Sequence, residues 1–271
     1  MHPANTCFAL SFVVAILVAL TSYYGISTPG FYSSESLNWQ AQSVGQDMVD
    51  LFLIVPVLVG SAILSYRNYQ RAMLVWTGTM LYLVYTYVIF CFDVHFNSLF
   101  PVYCVILGLT FYLLIWFIYH QSKNMTAEFS SKTPVKTTGI YFLFVSSVFY
   151  FLWLSEIMPS ALSGTTPAIL VETGLITNPV HVLDLAIILP GIFITGLWVL
   201  KKKQAGLLLA PAVLTFFVLM DITIAALMVI MKTKGLESNE YLVIVMISLA
   251  IFSIILLARI FQTTKYTVSQ S

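Results

Sequence analysis

The sequence predicts an all-α integral membrane protein: a bundle of about eight transmembrane helices in one membrane domain, residues 1–271. Composition and hydropathy carry this prediction. Of the 271 residues, 59% are hydrophobic and only 8% are charged, whereas soluble domains have roughly 25% charged residues. A soluble globule of this length could not cover its surface with so few charges. The net charge of +1 also argues against a nucleic-acid partner, which would select for a basic face.

Eight stretches are apolar enough to cross a bilayer, for which about 20 mostly apolar residues are needed. They cover residues 7–24, 47–66, 72–93, 99–120, 139–158, 179–200, 205–231 and 239–262. No Lys or Arg precedes the first stretch, and no small-residue cleavage site follows it. We therefore interpret it as a retained helix and not as a signal peptide.

The basic residues predict the orientation. If the N-terminus is cytoplasmic, ten of the twelve basic residues fall on the cytoplasmic side, and only Lys232 and Lys234 fall outside. The ten are Arg67, Arg71, Lys123, Lys132, Lys136, Lys201, Lys202, Lys203, Arg259 and Lys265. Lys and Arg in short loops set the orientation of membrane proteins, so we expect both termini in the cytoplasm. No organelle signal is visible, which favours a bacterial-type plasma membrane.

The acidic residues have the opposite distribution. Nine of the eleven lie at or near the outer side: Glu35, Asp47, Asp50, Asp93, Glu156, Glu172, Asp184, Glu237 and Glu240. Because acidic residues contribute little to orientation, this bias indicates an outer surface that attracts cations. A solvated acidic rim would explain it equally well. Two long outer loops, 25–46 and 159–178, are expected to form short caps over this side.

A duplicated pattern predicts an internal repeat. Residues 49–56 read VDLFLIVP and residues 183–190 read LDLAIILP, at an offset of 134 positions. We expect two units of four helices, 1–125 and 135–262. An even number of spans in each unit makes the repeat parallel, with its axis along the membrane normal. The alternative is two unrelated helices that share an acidic residue and a proline.

One ionisable residue is predicted inside the membrane. Asp221 follows Leu219-Met220 in the seventh stretch, and ionisable groups at membrane depth are expensive and usually functional. Its equivalent in the proposed repeat is Tyr87, which with Tyr85 lies in an unusually polar third stretch. We expect a phenol to reach the Asp221 carboxyl. The alternative is a protonated Asp that serves only helix packing.

A second candidate group lies at the outer ends of the second and sixth stretches. Asp47 and Asp50 are three residues apart and share a helix face, as do His181 and Asp184. If the repeat axis brings the helices together, these four side chains could hold a divalent metal or exchange protons. The alternative is helix-start chemistry, because acidic residues stabilise a helix N-terminus.

Two prolines are expected to bend the same helices. Pro56 and Pro190 follow Asp50 and Asp184 by six residues, and each removes a backbone hydrogen bond. Asn178-Pro179 resembles an N-cap followed by proline at the first helical position. Freed carbonyls beside the two carboxylates could bind a cation or a polar substrate.

The functional prediction is a membrane protein that binds a small solute or cation from the outer side. Asp50, Asp184 and Asp221 would line the pathway together with Tyr85 and Tyr87, and transport could be linked to protons. Apart from the divalent metal, no cofactor is expected, and catalysis is the less favoured outcome. The alternatives are an outer-facing intramembrane enzyme with a metal at Asp47, Asp50, His181 and Asp184, and a non-catalytic subunit or sensor.

Overall fold

A computed structural model describes residues 3–121 and 125–268 of the chain. Lys123 of the predicted cytoplasmic set lies outside the described residues. The helices are α1 (Pro3–Ser27), α2 (Leu37–Val49), α3 (Val55–Tyr66), α4 (Gln70–Phe92), α5 (Phe100–Gln121), α6 (Val135–Ser163), α7 (Ala168–Thr173), α8 (Pro179–Leu183), α9 (Leu189–Leu200), α10 (Gln204–Thr233) and α11 (Glu240–Thr263). The strands are β1 (Met125–Phe129) and β2 (Thr264–Val268).

Among the described residues, eight helices are long and apolar enough to cross a membrane, which confirms the predicted multi-pass helical protein. We number these spans 1 to 8 in chain order. Span 2 joins α2 and α3, and span 6 joins α8 and α9, each through a π-helical segment. The spans are Phe8–Ser27, Leu37–Tyr66, Gln70–Phe92, Phe100–His120, Val135–Ser163, Pro179–Leu200, Gln204–Thr233 and Glu240–Thr263.

Span 3 lies at the centre of the bundle. It packs against spans 2, 4 and 7, and 67% of its most apolar stretch is buried, against 22% for spans 5 and 8. Its contact with span 7 is close at Gly78, where a Cβ atom would lie 2.4 Å from the Ala212 carbonyl oxygen. Only a residue without a side chain fits there. The polar character of the span is thus explained by its position inside the bundle.

Span 2 begins ten residues earlier than predicted. The helix starts at Leu37, after Ser36, whose hydroxyl accepts a hydrogen bond from the Trp39 N–H as an N-cap. The stretch that follows is rich in Asn, Gln and Ser, so hydropathy alone placed it in a loop. Asp47 is therefore well inside a helix, and the helix-start explanation of this residue is wrong. At span 6, by contrast, the predicted cap is confirmed, because the Asn178 side chain accepts from the Val180 N–H.

Spans 2 and 6 share the same interruption. Residues Asp50–Ile54 and Asp184–Ile188 are π-helical. In each, the Asp carbonyl accepts a bond from the N–H five residues later, at Val55 or Leu189. The next residue is Pro56 or Pro190, which has no N–H to offer the preceding turn. The wider turn is how each helix accommodates its proline, and π-helical turns are frequent at functional sites.

The backbone also has the same conformation at the end of each of these two spans. Asn68 and Lys202 adopt positive φ angles of 63° and 52°, and they are 134 positions apart. The N–H groups of the next residues, Tyr69 and Lys203, donate to carbonyls five residues earlier, those of Leu64 and Trp198. Each tight turn leads directly into the next span. The same left-handed turn therefore follows both interrupted helices.

A two-stranded sheet joins the chain segments that follow spans 4 and 8. Strands β1 and β2 are antiparallel, and Ala127 lies opposite Tyr266. The sheet packs on Leu74 of span 3, and the Gln204 side chain of span 7 donates to the Ala127 carbonyl oxygen at 3.2 Å. An exclusively helical prediction missed it, although residues 125–129 alternate between apolar and polar, the pattern of a half-buried strand.

Candidate functional site

Asp50 lies at the centre of a buried polar network. Its side chain is fully buried, and its Oδ1 accepts from the Gln46 Nε2 at 2.9 Å and from the Tyr82 hydroxyl at 3.3 Å. The Gln46 amide also donates to the Tyr82 hydroxyl at 2.7 Å, and that hydroxyl bonds Thr223 of span 7 at 2.9 Å. The network thus connects spans 2, 3 and 7. The other carboxyl oxygen, Oδ2, has no hydrogen-bond partner among the described residues.

Asp184 occupies the equivalent position in span 6 with different partners. Its Oδ2 accepts from the Trp153 indole N–H at 2.8 Å, and the Tyr85 hydroxyl of span 3 also faces it. The His181 ring packs at a tilt against Trp153, with ring centroids 4.7 Å apart, and His181 lies 3.9 Å from a Glu156 carboxyl oxygen. Asp184 is therefore held by spans 3 and 5, and Tyr85 lies beside Asp184 and not beside Asp221, for which a phenol partner was predicted.

Asp221 lies apart from the Asp50 network. Two residues along a helix are about 200° apart, and Thr223 already bonds Tyr82 of span 3. Asp221 consequently points to another side of span 7, where Tyr141 of span 5 is in electrostatic range. The side chain is 8% exposed, and its Oδ2 has no hydrogen-bond partner in the described part of the chain.

Tyr87 does not meet Asp221 in the structure. Its hydroxyl lies 3.2 Å from that of Thr21 in span 1, and its ring stacks on Phe90. Tyr87 therefore fastens span 3 to span 1. The predicted pair between the Tyr87 phenol and the Asp221 carboxyl is not formed, because span 3 presents Tyr87 to span 1.

Asp47 is fastened to the loop that precedes its helix. Its Oδ2 accepts from the Tyr32 hydroxyl at 2.6 Å, and a Cβ atom on Gly25 would come within 2.0 Å of the same oxygen. Burial is the largest contribution raising the pKa of the Tyr32 phenol, and the Asp47 charge raises it further. The phenol therefore stays protonated and remains a donor to Asp47.

The predicted metal cluster is not assembled. Residues 3–121 and 125–268 contain no group of three or more His, Cys, Asp or Glu side chains placed to hold a metal ion. Asp47 bonds Tyr32, Asp50 bonds Gln46, and Asp184 bonds Trp153, while His181 lies beside Glu156. The four side chains are each engaged with separate partners, so the geometry gives no support to a metal-dependent enzyme.

A second polar cluster closes the same end of the bundle. The Glu35 carboxylate accepts from the His95 backbone N–H at 2.7 Å and pairs with the His95 Nδ1 at 2.8 Å. These contacts fasten the loop after span 1 to the turn after span 3. Asp93 is buried beside them, and burial followed by the charge of Glu35 raises its pKa to about 7.

Two partners of the candidate carboxylates were not singled out from the sequence. Gln46 precedes Asp50 by four residues, a spacing at which helical side chains meet, so the pair was open to prediction. Trp153 lies toward the end of an apolar stretch, where aromatic residues favour the membrane interface, and its N–H donates to Asp184. Nothing in the local sequence relates residues 153 and 184. Comparison of the chain with protein-family models, curated proteins and solved structures gave no match.

Proposed function

We propose that this membrane protein binds a small solute or a cation through Asp50 and Asp184, and that binding is linked to proton exchange. The observation that carries the proposal is the shared geometry of these residues. Each carboxylate lies within the bundle and begins a π-helical turn in front of a proline. Buried ionisable groups are costly at membrane depth and are functional-site candidates by default.

The Asp50 carboxylate has capacity for a further ligand. Gln46 and Tyr82 both act on Oδ1, which leaves Oδ2 buried and unpartnered among the described residues. A buried polar atom without a partner costs about 1–3 kcal/mol. A proton, a cation or a cationic group of a solute would remove that cost. Competition between the proton and the ligand for one carboxylate is what couples their binding.

The side from which the ligand arrives follows from charge. Glu35, Asp93 and Glu156 lie toward the same end of the bundle as Asp50 and Asp184, which we call the acidic end. In the proposed topology this end faces outward in a plasma membrane, and both termini are cytoplasmic. A negative potential raises the local concentration of cations at the entrance.

The proposal includes a parallel repeat of two four-helix units. Equal π-helical turns and equal left-handed turns at an offset of 134 residues support it. So does the contact between spans 3 and 7, where Gly78 touches Ala212. These two residues are also 134 positions apart. Equivalent residues touch each other where a two-fold axis passes between two helices.

The test is ligand-induced stabilisation of the purified chain in detergent. Na⁺, K⁺, Ca²⁺ and a panel of cationic and zwitterionic metabolites are added between about pH 5 and pH 8, where a histidine or a perturbed carboxyl titrates. We expect at least one probe to raise the unfolding temperature and to release protons into a weakly buffered solution. Asp50→Asn or Asp184→Asn should abolish both effects.

A matched control is Glu237→Gln, which removes an exposed carboxylate at the acidic end. This variant should keep the stabilisation and the proton release of the wild type. The proposal is overturned if no probe stabilises the wild type, or if the Asn variants respond as the wild type does. The carboxylates would then serve helix packing, as in a non-catalytic subunit.

A further inference from the structure

A polar cleft lies at the opposite end of the bundle, beside the two-stranded sheet. It has a volume of about 410 Å³. Span 3 contributes one wall, and the sheet together with the end of span 8 contributes the others. Its lining residues are Arg71, Glu128, Phe129, Ser130, Gln262, Thr263, Thr264 and Lys265. Seven of these eight side chains are polar or charged, in a chain of which 59% is hydrophobic.

Two cationic side chains of the cleft have no counter-ion. Neither Arg71 nor Lys265 forms an ion pair within the described part of the chain. Glu128 is the register partner of Lys265 across the sheet, yet its carboxylate is not within ion-pair distance of the ammonium group. The cleft therefore carries two positive charges and one negative charge, and both cations are free to meet a ligand.

A buried hydroxyl in the same wall is weakly paired. Thr264 is 3% exposed, and its Oγ1 forms no hydrogen bond of ordinary geometry with the described residues, although the Tyr266 hydroxyl lies near it. Such a group is usually satisfied by protein, water or a ligand. Ser130 and Gln262 add further donors around the opening. The cleft thus has more hydrogen-bond donors than negatively charged acceptors. This composition favours an oxyanion as the ligand.

The position of the cleft points to the membrane surface. Arg71 is the second residue of span 3, and Thr264 is the first residue after span 8. Both therefore lie where a helix passes from the apolar core to the headgroup layer. Basic pockets at this level between transmembrane helices bind phosphate headgroups. A planar guanidinium and an ammonium group are the cations that proteins use for phosphate.

We propose that this cleft binds a phosphate group, with Arg71 and Lys265 as its charged donors. The ligand is either the headgroup of an anionic lipid or a soluble phosphate ester, since both offer the same oxyanion. The site is at the basic end of the bundle, remote in sequence from Asp50 and Asp184, and it does not depend on the function proposed for them.

The experiment measures binding to the purified full-length chain in a zwitterionic detergent. One arm adds phosphatidylglycerol and counts retained lipids by native mass spectrometry, and the other titrates glycerol 3-phosphate by calorimetry. We expect binding in at least one arm, and that arm identifies the source of the phosphate. A basic residue near anionic lipid contributes about 1 kcal/mol, so Arg71→Gln or Lys265→Gln should weaken binding about fivefold.

Two further variants make the test specific. Glu128→Gln removes the one negative charge that would repel phosphate, so this variant should bind more tightly. A loss of folding would weaken binding and could not produce this result. Lys132→Gln removes an exposed positive charge at the same end, outside the cleft, and should leave binding unchanged. The proposal fails if neither phosphate probe binds, or if Lys132→Gln weakens binding as much as Arg71→Gln does.

Discussion

At the scale of single residues, buried carboxylates in this protein differ in how fully their oxygens are paired. Asp47 is held by a phenol, and Asp184 by an indole N–H. Asp50 and Asp221 each retain one buried oxygen without a partner among the described residues. Full pairing is what a purely structural carboxylate requires. Asp50 is the partly paired member of the proposed Asp50 and Asp184 site, so we expect its free oxygen to exchange the proton or ligand directly.

The buried Asp93 predicts how stability depends on pH at the acidic end. Its pKa is raised to about 7 by burial and by the Glu35 charge, while His95 holds Glu35 in place. The folded protein thus binds the proton more tightly than the unfolded chain does. The stabilising contribution is complete below about pH 4, the usual Asp value, and is lost as pH rises through the folded pKa.

Asp93→Asn should remove this dependence. We expect the unfolding temperature of the wild type in detergent to fall, relative to the variant, between about pH 4 and pH 7 and to level off above the folded pKa. Thermal unfolding at closely spaced pH values measures the difference. Glu172→Gln, which changes an exposed carboxylate on the same side, should follow the wild-type curve. Parallel curves for wild type and Asp93→Asn would show that Asp93 does not titrate with folding.

Sequence reasoning identified the ionisable residues but few of their contacts. Asp50, Asp184 and Asp221 stand out because charge is rare in apolar segments. Their partners come from other helices, as Trp153 does for Asp184 and Tyr82 does for Asp50. Which helix faces which is decided by packing over the whole bundle. The i,i+4 neighbour Gln46 is the exception, since its contact is local.

At the scale of elements, the sequence predicted which segments are long and apolar enough to span a membrane, but not the hydrogen-bond pattern within each helix. The two Asp–Pro patterns suggested kinks, and the structure has a π-helical turn ahead of each proline. Hydropathy cannot show this, because a π turn changes hydrogen-bond partners without changing composition. The polar first part of span 2 and the short strands were missed since both lie outside the apolar runs.

The contact between spans 3 and 7 predicts the effect of a single methyl group. A Cβ atom at Gly78 would meet the Ala212 backbone at 2.4 Å and the Thr215 Cβ at 2.6 Å. Because a backbone carbonyl inside a helix cannot move aside, Gly78→Ala should force the spans apart. Overpacking of this kind costs about 1–3 kcal/mol, which a lower unfolding temperature in detergent would report.

Gly191→Ala is the matched control for this substitution. Gly191 lies in span 6, and a Cβ atom there would meet nothing within 4 Å. Alanine is the better helix former by about 1 kcal/mol, so this variant should be as stable as the wild type or more stable. Equal destabilisation by both substitutions would contradict a close contact at Gly78.

At the scale of the whole molecule, the sheet ties the last segments of the two proposed units together. Strand β1 follows span 4 and strand β2 follows span 8, so the strands occupy corresponding places. Their antiparallel pairing is what a two-fold axis perpendicular to the strands produces. The contact of Gly78 with Ala212 suggests that the same axis passes between spans 3 and 7.

This pairing predicts a specific cross-link. Thr126 and Thr267 are opposite each other, and their hydroxyl oxygens are 2.8 Å apart. Opposed residues in an antiparallel pair have Cβ atoms about 4.5–5.5 Å apart, near the range in which a disulfide closes. With the three native cysteines replaced by alanine, Thr126→Cys combined with Thr267→Cys should oxidise readily. Cleavage at a specific protease site inserted into the Lys201-Lys202-Lys203 turn should then leave the two fragments joined until a reductant is added.

The register is tested by a second pair. Thr126→Cys combined with Tyr266→Cys would be opposed only if the strands were shifted by one residue, and such a shift moves every side chain to the other face of the sheet. Tyr266 is buried against the bundle, whereas Thr126 is exposed. This second pair should therefore give little cross-linked product. Efficient linkage of the second pair and not the first would refute the observed register.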